Sequence, residues 1–255
     1  MNWNSEQYLK FEKERTKPAR DLANEIDVAK PKKILDIGCG PGNSTAVLRK
    51  KYPDAEILGI DSSPEMIEQA CQTDKKTFFR VFNASDDLTK LGTDFDVVFS
   101  NACIQWIQNH KLLIPNMMKC LKKGGILAIQ TPMNEEEPIQ KIIMNLVKKK
   151  EWADKIDEPK IFHNLAQNDY YDIFNVCAES FTLWQTTYFH IMENHEAIMD
   201  WYRGTGLRPY IQSLSSELAD EFQKQVFEKV KRAYPAQQDG KIIFRFPRFF
   251  MLAEK

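Results

Sequence analysis

Short, almost wholly apolar runs alternate along the first half of the chain with segments whose apolar residues recur every three or four positions. The runs KKILDI (32–37), AEILGID (55–61), TFFRVF (77–82), FDVVFSN (95–101) and ILAIQTP (126–132) predict strands. Between them NSTAVLRKKY (43–52), SSPEMIEQACQ (62–72) and NHKLLIPNMMKCLKKGG (109–125) predict helices. The second helix opens on serines that can cap it and on Pro64, which a first turn tolerates; the third closes on glycine. Residues 1–30 read as helical with an interruption at Pro18. Continuous apolar strands alternating with helices mark a parallel sheet covered on both faces. Right-handed crossovers make the expected architecture a doubly wound α/β fold.

The second half breaks this rhythm. Residues 137–180 carry helical patterns, LWQTTYFHI (183–191) is strand-like, 194–234 is largely helical, and KIIFRFPRFFMLAEK (241–255) reads as a closing strand. No Gly/Ser/Pro linker separates these parts, so one domain of 1–255 is expected. Its parts would be a helical lid (1–30), a ligand-binding core (31–132), a helical insertion covering the active site (133–180) and a C-terminal part with the last two strands (181–255).

Composition narrows the function classes. Lysine and arginine number 35 against 36 acids, a formal net charge of −1, which offers no global field for nucleic acid or a membrane surface. No apolar stretch approaches the ~20 residues of a membrane span, and the charged N-terminus has no signal-peptide core. The five cysteines (39, 71, 103, 120, 177) are scattered without a C-x-x-C pair. That argues against a disulfide framework and structural zinc, and for a cytoplasmic protein that uses no metal.

The candidate chemistry begins at ILDIGCGPGN (34–43). In an open parallel sheet ligands bind beyond the carboxyl ends of the strands, where the strand order reverses. Gly38, Gly40 and Gly42 let the chain turn there with bare backbone, Cys39 fills space within the turn, and Asn43 and Ser44 can cap the next helix. Asp36 stands two residues before the first glycine. A carboxylate there opposes a pyrophosphate and suits a ligand with a cationic amino-acid tail, as in S-adenosylmethionine. Asp61, with Ser62 after it, ends the second strand about 20 residues further on, where an acid accepts ribose hydroxyls. Both dinucleotide and methyl-donor enzymes share that feature. Asn83 or Asp86 can meet the adenine amino group and Ala84 its ring face. Asn101 and Ala102 can offer backbone to the methionine portion, with Gln105 and Trp106 facing the methyl group.

At these residues the sequence resembles the class I S-adenosylmethionine-dependent methyltransferases, and more narrowly the trans-aconitate methyltransferases. The matching stretches are WNSEQYLKFEKERTKPARDL, LDIGCGPGNST, GIDSSPEMI, SNACIQWI, YYDIF, TTYFHIM, TGLRPY and FPRFF. The glycine motif is common to the superfamily; F-x-x-E-R-x-x-P (11–18), T-G-L-R-P (205–209) and F-P-R-F (246–249) are more particular. The resemblance implies a mostly parallel seven-stranded sheet whose last two strands form an antiparallel hairpin. It also implies S-adenosylmethionine as cofactor and methyl-ester formation on a small polycarboxylic acid. Asn83 departs from the acid that many relatives place against the adenine.

A carboxylate acceptor, with a pKa of about 4, is already ionised at neutral pH and needs no general base. It needs cations that grip its other carboxylates, which arginine does best. Arg203, Arg208, Arg245 and Arg248 lie among aromatics; Arg208 is held between a glycine turn and a proline. Arg245 and Arg248 have opposite strand parity, so only one is expected in the pocket. His190, sharing a strand face with Tyr188, can hydrogen-bond the substrate, while His110, His163 and His195 read as structural. Tyr170 and Tyr171 can line a substrate lid, and Arg15, Lys17 and Arg20 can lie on the N-terminal one. The alternatives are another small acceptor (fatty acid, phenol or quinone), an NAD-dependent oxidoreductase, and a non-catalytic binding protein. As partners, the reading expects the small polycarboxylate and neither nucleic acid nor membrane, in a monomer or homodimer.

Overall fold

The computed structural model describes residues 12–156, 162–204 and 206–255, with side chains from residue 16 onward. Helix α1 (Glu12–Glu25) precedes β1 (Lys33–Ile37), α2 (Asn43–Lys51), β2 (Glu56–Asp61), α3 (Pro64–Thr73), β3 (Phe78–Val81), β4 (Phe95–Asn101), α4 (His110–Lys119) and β5 (Leu121–Pro132). There follow α5 (Pro138–Val147), α6 (Lys150–Ala153), α7 (Gln167–Cys177), β6 (Ser180–Met192), α8 (His195–Arg203), α9 (Arg208–Gln212), α10 (Ser216–Ala233) and β7 (Ile242–Glu254).

The described strands form one seven-stranded sheet in the order β3-β2-β1-β4-β5-β7-β6. Strands β3 to β5 run parallel, and β7 lies antiparallel to β5. The order reverses between β1 and β4, which therefore flank the switch point. Ile34, Leu35, Val97, Val98, Leu127 and Ile129 are wholly buried, as the apolar runs require. Strands β6 and β7 are neighbours, but three helices separate them in sequence, so the expected hairpin is replaced by a long connection.

Two local expectations fail for visible reasons. Helix α1 runs unbroken through Pro18, because the stripe Ala19, Leu22, Ala23 and Ile26 is buried and its packing outweighs one lost N–H bond. Helix α4 stops at Lys119, well short of Gly125, because Leu121 already pairs with Phe95 and the bulged Lys122–Gly125 stretch belongs to β5.

The chain divides into two compact units. The strand unit is Arg15–Pro132, Phe162–Thr186 and Arg248–Lys255. The helical unit contains Met133–Ile161 and Thr187–Pro247, with a core that includes Ile139, Ile143, Trp201, Tyr202, Phe222 and Phe244. Residues 162–186 thus pack with the strands, and 133–161 with the later helices.

Candidate active site

The glycine turn of the strand unit is stitched to the tip of β2. The Gly38 and Cys39 amides donate to the Ile60 carbonyl at 2.8 and 3.0 Å. Gly40 donates to Asp61 Oδ2 at 3.1 Å, and Asp61 Oδ1 accepts from the Ser63 amide at 2.9 Å. Glycine is needed at position 38 because a Cβ there would come within 2.2 Å of Cys103 Sγ, on the loop that follows β4. At Gly40, with φ +54°, a Cβ would meet nothing within 4 Å, so this backbone stays open to a ligand.

Asp36 is fully buried. Ser44 and Thr45 donate to its Oδ2 at 2.8 and 2.6 Å, while Oδ1 has no partner among the described residues. These hydroxyls hold the carboxylate instead of capping α2, whose N-cap is Gly42 with no side-chain bond; Asn43 is the first helical residue. Burial pushes the Asp36 pKa up to about 6, against the pull of the two hydroxyls. A buried carboxylate oxygen left without a donor calls for a cation or a strong donor from outside the chain.

The loop after β4 is held from the other side of the sheet. Gln105 is buried; its Nε2 donates to the Ala102 carbonyl at 2.7 Å, and its Oε1 lies 3.3 Å from Thr131 Oγ1. Thr131 is nearer to Asn164 Oδ1, at 2.9 Å, and Asn164 Nδ2 donates to the Pro132 carbonyl. His110 Nε2 donates to the Ile104 carbonyl at 2.8 Å, so Nδ1 accepts from the Tyr170 hydroxyl at 2.7 Å; that hydroxyl accepts from the Leu165 amide. Burial holds the His110 pKa down and keeps the ring neutral. Tyr170 is therefore a fully buried bracing residue, while Tyr171 is exposed. Trp106, 43% exposed, packs edge-on against Phe162.

The structure gathers Asp36, Gly38, Cys39, Gly40, Asn43, Asp61, Ser62, Asn83, Ala84, Asn101, Ala102, Gln105 and Trp106 at or just beyond the carboxyl ends of β1 to β4. Gln105 is turned into the loop's own hydrogen bonds. Asn83 is exposed and accepts from the Ser85 amide, and Ala84 is buried beside it. Arg248 is buried in β7 of the same unit, whereas Arg245 is exposed and lies 3.7 Å from Glu137. Arg203 is committed to Glu196, Asp200 and Gln223. His190 and Arg208 belong to the helical unit, where His190 packs among Tyr188, Trp201, Phe244 and Phe246. His195 bonds the Tyr234 carbonyl and the His163 amide bonds the Gln105 carbonyl. Lys17 pairs with Asp21; the Arg15 side chain, residues 1–11 and Thr205 lie outside the described residues. Burial raises the Cys39 thiol pKa strongly and the Cys103 thiol to about 12, so neither is a nucleophile at neutral pH. Among the described residues no group of three His, Cys, Asp or Glu side chains can hold a metal.

A doubly wound sheet with an acid–glycine corner and a second acid at the tip of β2 defines a nucleoside-binding enzyme fold of the methyltransferase type. The chain belongs to the methyltransferase domain family, whose model matches residues 29–178. End to end it is similar to the trans-aconitate 2-methyltransferase of Rhodopseudomonas palustris strain BisB18, at 38% identity over 100% of this chain and 99% of that one. Among solved structures, the YcgJ protein of Bacillus subtilis matches its fold with a TM-score of 0.60 at 16% identity, covering 94% of this chain and 98% of that one. The Haemonchus contortus phosphoethanolamine N-methyltransferase 2, solved with S-adenosylhomocysteine, matches with a TM-score of 0.56 at 15% identity, over 93% of this chain and 52% of that one.

Proposed function

We propose that the protein transfers a methyl group from S-adenosylmethionine to one carboxylate of a small polycarboxylic acid, with trans-aconitate the first candidate. The observation that carries the cofactor assignment is Asp36 Oδ1, buried at the end of β1 without a donor among the described residues. A cationic α-amino group satisfies it, and a pyrophosphate does not. The open backbone at Gly40 fits the same ligand. The acceptor assignment is supported by the end-to-end similarity to a trans-aconitate 2-methyltransferase.

When bound, S-adenosylmethionine supplies the methyl group as a sulfonium substituent. The chain's part is to bind and orient. Asp36 receives the cationic tail, and Asp61 receives the ribose hydroxyls while it holds Gly40. Asn83 and Ala84 meet the adenine, and Ser62, Cys39, Asn43 and Ala102 complete the cofactor contacts. Gln105 fixes the loop that carries Trp106. Such positioning is worth roughly 7–11 kcal/mol when reacting atoms are held near contact and aligned. No side chain needs to remove a proton, because the acceptor carboxylate arrives ionised. Arg248, in the strand unit, is assigned to the acid on chemical grounds as its guanidinium donor. The five cysteines stand unbridged, in keeping with a reducing compartment, and no described helix is long and apolar enough to cross a membrane.

The test is incubation with methyl-labelled cofactor and a panel of di- and tricarboxylic acids, beside phenols, fatty acids and quinones. Ester formation on a polycarboxylate is expected. Transfer confined to non-acidic acceptors would remove the acceptor assignment, and calorimetric binding of NAD in place of S-adenosylmethionine would remove the cofactor assignment.

A further inference from the structure

Gln130, near the end of β5, is fully buried, and neither its amide nitrogen nor its amide oxygen has a hydrogen-bond partner among the described residues. Side-chain amides this deep are normally paired at both ends, and an unpaired one lowers stability. Gln130 stands in register with Asn101 of β4, whose Oδ1 is also buried and without a partner. Residues paired across adjacent strands project to the same face, so the two amides form a rung. Phe250 of β7 is the register partner of Gln130, and Arg248, paired with Pro132, lies two residues along on that face. All four belong to the strand unit. Asn101 is half-buried as a residue, whereas Gln130 is wholly buried.

We propose that Asn101 and Gln130, beside Arg248, hold a carboxylate of the acceptor acid. This rests on the carboxyl-methylation reading above and adds to it a binding rung that includes Gln130. Gln130 Nε2 and the Arg248 guanidinium are donors of the kind that carboxylate oxygens take, and the Asn101 amide adds its own N–H pair beside its unpartnered oxygen. Adjacent strands lie about 4.8 Å apart, close enough for neighbouring side chains to share one carboxylate. Gln130 is also separate from the cofactor's cationic contact, while Asn101 lies on the strand next to Asp36. Asp36 is in register with Phe99, two residues before Asn101, and Gln130 is a further strand away. Two strand spacings, roughly 10 Å, exceed the reach of one amino-acid end group. The unpaired amide therefore marks a second ligand group.

Gln130→Met, close in shape and apolar, separates binding from packing. The expected result is a melting temperature equal to or above wild type, because an unsatisfied polar group has been removed. The KM for the acid rises roughly ten- to a hundredfold, and the calorimetric Kd for S-adenosylmethionine is unchanged. A higher melting temperature with unchanged KM would overturn the proposal, leaving Gln130 an unpaired core amide. Weakened cofactor binding with unchanged acid KM would overturn it too, by giving the rung to the cofactor. Should Gln130→Met not fold, Asn101→Ala is read by the same three numbers. If wild type methylates no acid, calorimetry with tricarboxylates alone still decides: binding lost in Gln130→Met supports the rung, and no binding to wild type ends it. Failure of transfer and failure of the rung are thus told apart.

Discussion

Gln130 and Thr131 are neighbours at the end of one strand, and they face opposite sides of the sheet. On the Thr131 side every step is paired: Thr131 to Asn164, Asn164 to the Pro132 carbonyl, Gln105 to Ala102, Tyr170 to His110 and His110 to Ile104. On the Gln130 side a row of polar atoms is buried and without a hydrogen-bond partner among the described residues: Asp36 Oδ1, Asn101 Oδ1 and both ends of the Gln130 amide. Gln130 and Thr131 are both wholly buried, so their own exposure does not explain the contrast. One face has spent its polar groups on fixing the loop after β4, and the other holds them back for a ligand. A protein keeps such uncompensated groups at a cost in stability, and sites that bind are where that cost is found.

The comparison is broken most severely at Asp36. Asp36→Asn keeps the shape and removes the charge, so S-adenosylmethionine affinity should fall about a hundredfold, or ~3 kcal/mol, by calorimetry. The same variant should melt at or above the wild-type temperature at pH 7, because a buried carboxylate no longer has to ionise. A melting point well below wild type would make Asp36 a structural group. Asp61→Ala comes next. It removes the ribose contact and the support of Gly40 together, and should weaken cofactor binding by about 2 kcal/mol. Unchanged affinity in a folded variant would put the ribose elsewhere. On the paired face, Tyr170→Phe strips one hydroxyl from both His110 and Leu165. It should cost about 1 kcal/mol in urea unfolding and lower kcat with little change in cofactor Kd. If cofactor affinity moved more than stability, the division between bracing and binding faces would be lost.

Much of the paired frame was legible from the sequence, and the unpaired row was only half so. The strands β1, β4 and β5 announce themselves because central strands covered on both faces are almost wholly apolar, whereas β3, at the sheet edge, is largely exposed despite its apolar run. Asp36 and Asp61 stand out because they interrupt those runs at their ends. Gln130 interrupts ILAIQTP in the same way, yet nothing in a single strand says that its neighbour across the ladder is Asn101 or that Arg248 follows on β7. Register is a property of the sheet. The inward turn of Gln105 was hidden for a similar reason, since its partner Thr131 lies on another strand. The opposite parity of Arg245 and Arg248 was readable, and it corresponds to one exposed and one buried side chain. The grouping of 162–186 with the strands follows from long-range bonds such as Tyr170 to His110, which local periodicity does not carry.

The pH dependence of S-adenosylmethionine binding tests the central claim most directly. Asp36, with its pKa raised to about 6, holds its proton in the folded protein between pH 4 and 6, where an unfolded chain releases it. The ligand-free protein should therefore lose stability as pH rises through that window. Binding of a cation needs the ionised form and runs the other way. Calorimetry from pH 5 to 8 should show a plateau above about pH 6 and a fall approaching tenfold per unit below it, absent in Asp36→Asn. An affinity that stays flat across the range in wild type would show that the buried carboxylate does not receive the cofactor's charge.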